Sequence, residues 1–317
     1  MIIGRSRYRS SFRKILNIGK AQAFSSKMAI SNPPGFSRFS DVIDSYDNFV
    51  FDCDGVIWES YNPIGDSFRV LENLMNRGKK VIFLTNLSKL PRRELAQKFE
   101  DNGLKIDCDQ QLFNASYLAA YYLHNNHPEI KNMYVIGGSG MCEELNNVGI
   151  NTFGSVEDDN KDFNPQTQGE ADLSLPNDVQ GIMIAKDIHL NPFKLARANI
   201  LRKRGIPMFF TGVHSVFVIE DMFPQDPNAR QLLSQEPLML AKPNPFGFKL
   251  IMNKTGMKAS ESLMVGDRFD SDINFGAGCN MHTFFVLSGE TSRAEMDQAF
   301  ENPDQVNPTY WGESIST

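Results

Sequence analysis

Short apolar runs alternate with amphipathic stretches along most of this chain. Phe49-Val50-Phe51 carries no charge and stops at Asp52-Cys53-Asp54-Gly55. That pattern predicts a buried parallel strand with two carboxylates at its carboxyl end. Phe68, Leu71, Leu74 and Met75 follow at helical spacing, and Gly78 closes the helix. Val81-Ile82-Phe83-Leu84 predicts a second strand, leading into Thr85-Asn86. Pro91 then opens a helix with Leu95 and Phe99 that stops at Gly103. Strand and helix in strict alternation point to an α/β fold with a parallel sheet.

From about Asp107 the pattern restarts. Residues 112–123 read as a helix and residues 133–136 as a strand, leading into Gly137-Gly138-Ser139-Gly140 and a further helix. Residues 157–178 are polar and are expected to form a surface loop. Two strands, at 181–185 and 208–211, flank a helix over 192–204. The first style then returns. Leu238-Met239-Leu240-Ala241 leads to Lys242-Pro243, Leu263-Met264-Val265 leads to Gly266-Asp267-Arg268, and 283–287 forms a last strand. Residues 41–106 and 237–317 are therefore expected to form one core, with 107–236 a smaller inserted α/β unit. Four predicted strands end in Asp52, Thr85, Lys242 and Asp267, so a parallel sheet would gather these groups along one edge.

The net charge of −6 over 317 residues argues against a general nucleic-acid binder. No apolar run approaches bilayer-spanning length. The four cysteines, Cys53, Cys108, Cys142 and Cys279, lie far apart, as in a reduced intracellular chain. Residues 1–40 are basic, serine-rich and free of acid. They read either as a mitochondrial transit peptide or as the basic tail of a cytosolic protein, outside the fold in both cases.

Carboxylates about 4 Å apart repel by roughly 4 kcal/mol at an effective dielectric near 20. A hard divalent cation reverses that balance, and oxygen ligands suit Mg2+. Asp52, Asp54 and Asp267 supply the acids, Lys242 a cation, and Thr85 and Asn86 small donors, a set suited to phosphoryl transfer.

Asp52-Cys53-Asp54-Gly55-Val56, Thr85-Asn86, Lys242-Pro243 and Gly266-Asp267-Arg268-Phe269-Asp270-Ser271-Asp272-Ile273 resemble the four ordered motifs of the haloacid dehalogenase superfamily. More narrowly the chain resembles the p-nitrophenyl phosphatase, phosphoglycolate phosphatase and pyridoxal phosphatase family, over about Ser45 to Ile315. The resemblance implies a Rossmann-like core with a class II cap inserted between Thr85 and Lys242. It implies Asp52 as nucleophile and Asp54 as general acid and base. Mg2+ would be held by Asp52, the Asp54 backbone carbonyl and Asp267, with Asp272 orienting metal-bound water. Thr85, Asn86 and Lys242 would bind the phosphoryl group. The expected reaction is magnesium-dependent hydrolysis of a small phosphomonoester, phosphoglycolate-like or aryl. Pyridoxal 5′-phosphate is the alternative substrate, and a phosphotransferase or non-catalytic binding protein on the same core is a further alternative. A homodimer through the cap is compatible with the resemblance.

Thr211-Gly212-Val213-His214-Ser215 and Phe223-Pro224-Gln225-Asp226-Pro227-Asn228 depart from the family pattern and bear on substrate identity. Gly137–Gly140 lacks a Walker lysine and a third dinucleotide glycine, so it reads as a tight turn. His124 and His127 have no evident partner ligands, Cys53 reads as a core thiol, and Arg268 as a loop anchor. His189 and His214 fall near the cap without a catalytic assignment.

Overall fold

A computed structural model of the chain describes residues 35–164, 167–169, 173–212, 219, 225, 227–232 and 238–317. The larger of its two main sheets runs Gly35–Phe36, Tyr310–Gly312, His282–Val286, Ser262–Gly266, Asn48–Phe51, Lys80–Thr85 and Leu112–Asn114. All of its pairings are parallel. The apolar runs are continuous because the central strands are covered on both faces. Successive side chains then sort to opposite sides. Phe49, Phe51, Val81, Phe83, Leu263 and Val265 pack with Leu71, Leu95 and Phe99 on one face. Val50, Ile82, Leu84 and Met264 pack with Phe248, Ile251 and Phe275 on the other. Each such side chain contributes roughly 1.5–3 kcal/mol by leaving water.

The smaller sheet runs Leu238–Met239, Met208–Phe210, Gly181–Ile184, Asn132–Ile136 and Asn151–Gly154, again all parallel. Helix Ala115–Asn126 joins the two units. Tyr117 and Leu118 pack under the larger sheet, while Ala119, Ala120 and Leu123 pack under the smaller one. Among the described residues no helix is long and apolar enough to cross a membrane.

Three expectations change. Residues 112–114 are a strand rather than the start of a helix, so the larger sheet reaches past residue 106. Asn114 then begins the helix by accepting a hydrogen bond from Tyr117 N at 2.8 Å. Leu238–Met239 pairs with Met208–Phe210 in the smaller sheet, so the return to the core comes after residue 237. The leader's end is also part of the fold. Gly35–Phe36 pairs with Tyr310–Trp311, and Phe39 is buried against Phe49, Phe51 and Phe284; residues 1–34 lie outside the described residues. The segment 157–178 lies largely at the surface, as expected, and is anchored by buried Asp158, which pairs with Arg197 at 2.7 Å and accepts from Tyr134 Oη. Residues 165–166 and 170–172 of that segment lie outside the described residues.

Candidate active site

The register that sets Phe51 beside Val265 and Phe83 brings three strand ends together. Asp52 follows Asn48–Phe51, Thr85 closes Lys80–Thr85, and Asp267 follows Ser262–Gly266; all three residues are buried. Asp52 N still donates to Val265 O at 2.9 Å, which ties the nucleophile candidate to the neighbouring strand.

Lys242 reaches the same place by another route. It does not end a strand of the larger sheet but follows one of the smaller sheet. Its main chain is held by Asn86: Lys242 N donates to Asn86 Oδ1 and Asn86 Nδ2 donates to Lys242 O, both at 3.1 Å. The Asn86 side chain, expected to contact the phosphoryl group, is therefore engaged in placing the lysine. Thr85 Oγ1 accepts from Leu87 N at 3.1 Å, which leaves its hydroxyl proton to donate elsewhere.

Ligand atoms of Asp52, Asp267 and Asp272 lie within 4.8 Å of one another. Lys242 Nζ sits 2.9 Å from Asp52 Oδ1 and 2.7 Å from Asp272 Oδ1. One ammonium against three carboxylates leaves two negative charges uncompensated if all are ionised. Burial works to lower the Lys242 pKa, but the Asp272 and Asp52 charges outweigh it and raise it. Burial raises the Asp272 carboxyl to about 6, with Lys242 opposing and Asp52 adding to the rise. Asp267 is pushed well up by burial and by the Asp272 and Asp52 charges. Asp267 Oδ2 accepts from Glu290 N at 2.7 Å, while its buried Oδ1 has no hydrogen-bond partner. A buried acceptor of this kind among three acids fits a hard divalent cation. Asp272 contributes charge and also braces the turn, its Oδ2 accepting from Arg268 N at 3.1 Å.

Asp54 stands at the mouth, where its residue is exposed. Neighbouring protein on its other sides desolvates the carboxyl and raises its pKa, against the Trp58 hydrogen bond and the charges of Lys89, Lys186 and Lys242. Trp58 Nε1 donates to Asp54 Oδ1 at 3.1 Å. Trp58 belongs to a hairpin, Trp58–Glu59 paired with Asn62–Pro63, whose turn residues Ser60 and Tyr61 have φ of 50° and 68°. Positive φ at both positions suits a two-residue hairpin, but serine and tyrosine do not announce such a turn in sequence.

A second unforeseen part is the turn after the strand His282–Val286. Ser288 Oγ donates to Gly55 O and Thr291 Oγ1 to Asp267 O, each at 2.7 Å. A Cβ on Gly289 would lie 2.0 Å from Asp267 Oδ2, and one on Gly55, at φ +81°, would lie 2.7 Å from the same atom. Glycine at both positions lets the two loops close around Asp267. The available signal was positional, a strand ending in Ser-Gly-Glu-Thr at the edge already marked by Asp52 and Asp267.

Arg268 anchors its loop through Asp270, at 2.8 Å, and Glu290. Cys53 is buried in the aromatic cluster, and burial, then the Asp52 and Asp54 charges, pushes its thiol well up, as befits a core thiol. The Gly137–Gly140 turn packs on the core: a Cβ on Gly140 would lie 2.4 Å from Leu90 C. His124 donates through Nδ1 to Val148 O, and His127 Nδ1 lies 3.2 Å from Glu129 Oε1, so each has its own protein contact. His189 is exposed, with its backbone N donating to Asp187 Oδ1 at 2.8 Å. His214 and residues 213, 215, 223, 224 and 226 of the departing stretches lie outside the described residues.

Residues 49–151 match a model described as haloacid dehalogenase-like hydrolase, and residues 239–312 match a related HAD-like model. Phosphoglycolate phosphatase 2 of Arabidopsis thaliana is 32% identical over 290 residues, spanning 88% of this chain and 94% of that protein. Among solved structures, a p-nitrophenyl phosphatase from Archaeoglobus fulgidus superposes with a TM-score of 0.69 at 22% identity, covering 86% of this chain and 97% of that one. A glycerol phosphate phosphatase from Mycobacterium tuberculosis, solved in complex with magnesium, superposes with a TM-score of 0.68 at 18% identity, covering 86% and 77%.

Proposed function

This chain belongs to the haloacid dehalogenase-like hydrolases, and on that premise we propose that it is a magnesium-dependent phosphatase, hydrolysing small phosphomonoesters through an aspartyl phosphate on Asp52. One observation carries the reading. Three buried carboxylates crowd within 4.8 Å, with Lys242 between two of them and Asp267 Oδ1 left unpartnered. Mg2+ would be held by Asp52, Asp267 and the Asp54 carbonyl, and when bound it supplies charge neutralisation at the phosphoryl oxygens.

The chain's own groups do the rest. Asp52 attacks phosphorus from the end of a buried strand, and Lys242, fixed by Asn86, keeps a positive charge beside it. Thr85 donates its hydroxyl proton to a phosphoryl oxygen. Asp54, oriented by Trp58, gives a proton to the departing oxygen and later takes one from the water that cleaves the aspartyl phosphate. Asp272 holds Lys242 from the far side. Phosphoglycolate-like or aryl phosphates are the substrates proposed first, in keeping with the similarity to phosphoglycolate phosphatase 2. The test is phosphate release from a panel of phosphomonoesters with and without magnesium. Wild-type protein should turn over only with the metal, and Asp52→Asn should lose at least about a thousandfold. Wild-type rates from Asp52→Asn would remove the nucleophile and the mechanism with it.

A further inference from the structure

Two lysines outside the catalytic cluster converge on its mouth from different sheets. Lys89 follows the Thr85 turn, and its Nζ lies 5.5 Å from the centroid of the Tyr61 ring, the hairpin residue beside Trp58. Lys186 comes from the smaller sheet, two residues past the central strand Gly181–Ile184. Segments that follow the neighbouring strands on either side of it approach the Thr85–Lys89 turn. Gly140 N donates to Lys89 O at 3.2 Å. On the other side a Cβ on Gly212 would lie 3.9 Å from Asn86 Nδ2. Lys186 follows Ala185, whose Cβ would lie 2.9 Å from a Cβ on Gly137 in the turn that packs on Lys89, and both lysines are exposed.

Their ion pairing differs from that of the chain's buried lysines. Lys242 and Lys194 each sit between two carboxylates. Among the described residues neither Lys89 nor Lys186 is in ion-pair contact with a carboxylate, and both act electrostatically on Asp54. The loop that presents Lys186 is firmly placed. The next residue, Asp187, is buried, accepts from Lys194 Nζ at 2.7 Å and from His189 N at 2.8 Å. Bracing next to Lys186 spares the ordering of its backbone when the side chain meets a ligand.

We infer that Lys89 and Lys186 form a cationic rim that recognises a second anionic group, borne by the leaving group near the scissile phosphoryl. The inference rests on the phosphatase reading, in which Asp54 faces the leaving oxygen. Whatever hangs from that oxygen lies beside Asp54, the acid on which both ammonium charges act. A carboxylate one or two carbons away would be within their reach, whereas a neutral alkyl chain would gain nothing from them. The rim therefore assigns specificity to two residues that take no part in bond making.

The experiment compares kcat/KM for phosphoglycolate and ethyl phosphate, which share a two-carbon skeleton and differ in the carboxylate. It uses the full chain with magnesium, as wild type, Lys186→Ala, Lys89→Ala and Lys186→Arg. Wild type should favour the carboxylated ester. Each alanine variant should lower the ratio of the two kcat/KM values on the order of tenfold, through KM, and Lys186→Arg should restore it. An active wild type with no preference, or alanine variants that depress both esters alike, would overturn the rim and leave the phosphatase reading standing. A wild type that hydrolyses no phosphomonoester would overturn both.

Discussion

Asp267→Asn removes one negative charge from the catalytic cluster while keeping the side chain's shape. The ligand atom of Asp267 lies within 4.8 Å of those on Asp52 and Asp272. At that separation and an effective dielectric near 20, each pair of charges repels by about 3 kcal/mol. The metal-free protein relieves part of this by binding protons, since burial and the neighbouring charges hold the Asp267 carboxyl well above its ordinary pKa. A net gain of about 1–3 kcal/mol remains for the variant, or up to about 6 °C in melting temperature. A carboxyl whose pKa is raised by folding binds more protons in the folded than in the unfolded chain. The metal-free wild type therefore loses stability as pH climbs from the ordinary carboxylate range through the raised pKa. Asp272, raised to about 6, acts with the same sign. The variant's advantage should accordingly grow above neutral pH and shrink in acid. Magnesium should reverse the ranking, because at about a thousand times its dissociation constant it stabilises the wild type by about 4.1 kcal/mol and should barely shift the variant. Thermal melts followed by circular dichroism, in chelator and in magnesium, read both effects. A variant that melts below wild type in chelator, or that gains as much from magnesium, would refute the electrostatic account of the site.

Two further outcomes follow from single contacts. Asn86→Ala removes both hydrogen bonds that fix the Lys242 main chain and should lower kcat by about ten- to a hundredfold while leaving magnesium binding intact; steady-state kinetics and magnesium titration check it, and an unaltered kcat would show that the lysine is placed by other means. Lys194→Met leaves Asp159 and Asp187 without their buried cation and should cost about 3–5 kcal/mol by chemical denaturation. A loss below about 1 kcal/mol would mean that the pair is already well solvated.

Much of the catalytic edge was legible along the chain because a parallel sheet converts periodicity into position. Uncharged runs such as Phe49–Phe51 and Leu263–Val265 must be buried on both faces, and residues just beyond them must emerge at one end. Asp52, Thr85 and Asp267 could be assigned to a shared edge for that reason alone. Lys242 was expected there too, but it arrives from a strand of the other sheet. Hydrophobic period cannot reveal which sheet a two-residue strand joins, because that choice depends on its hydrogen-bond partners. The docking of Gly35–Phe36, the strand at Leu112–Asn114 and the hairpin turn at Ser60–Tyr61 were hidden for the same reason. Each is too short to show a period, and each is stabilised by contacts far away in sequence. The chain by itself determined which chemical groups would stand at the sheet's edge. Only tertiary structure decided that Asn86 would hold the lysine and that the 288–291 turn would close on Asp267, because these depend on packing between segments that local sequence does not record.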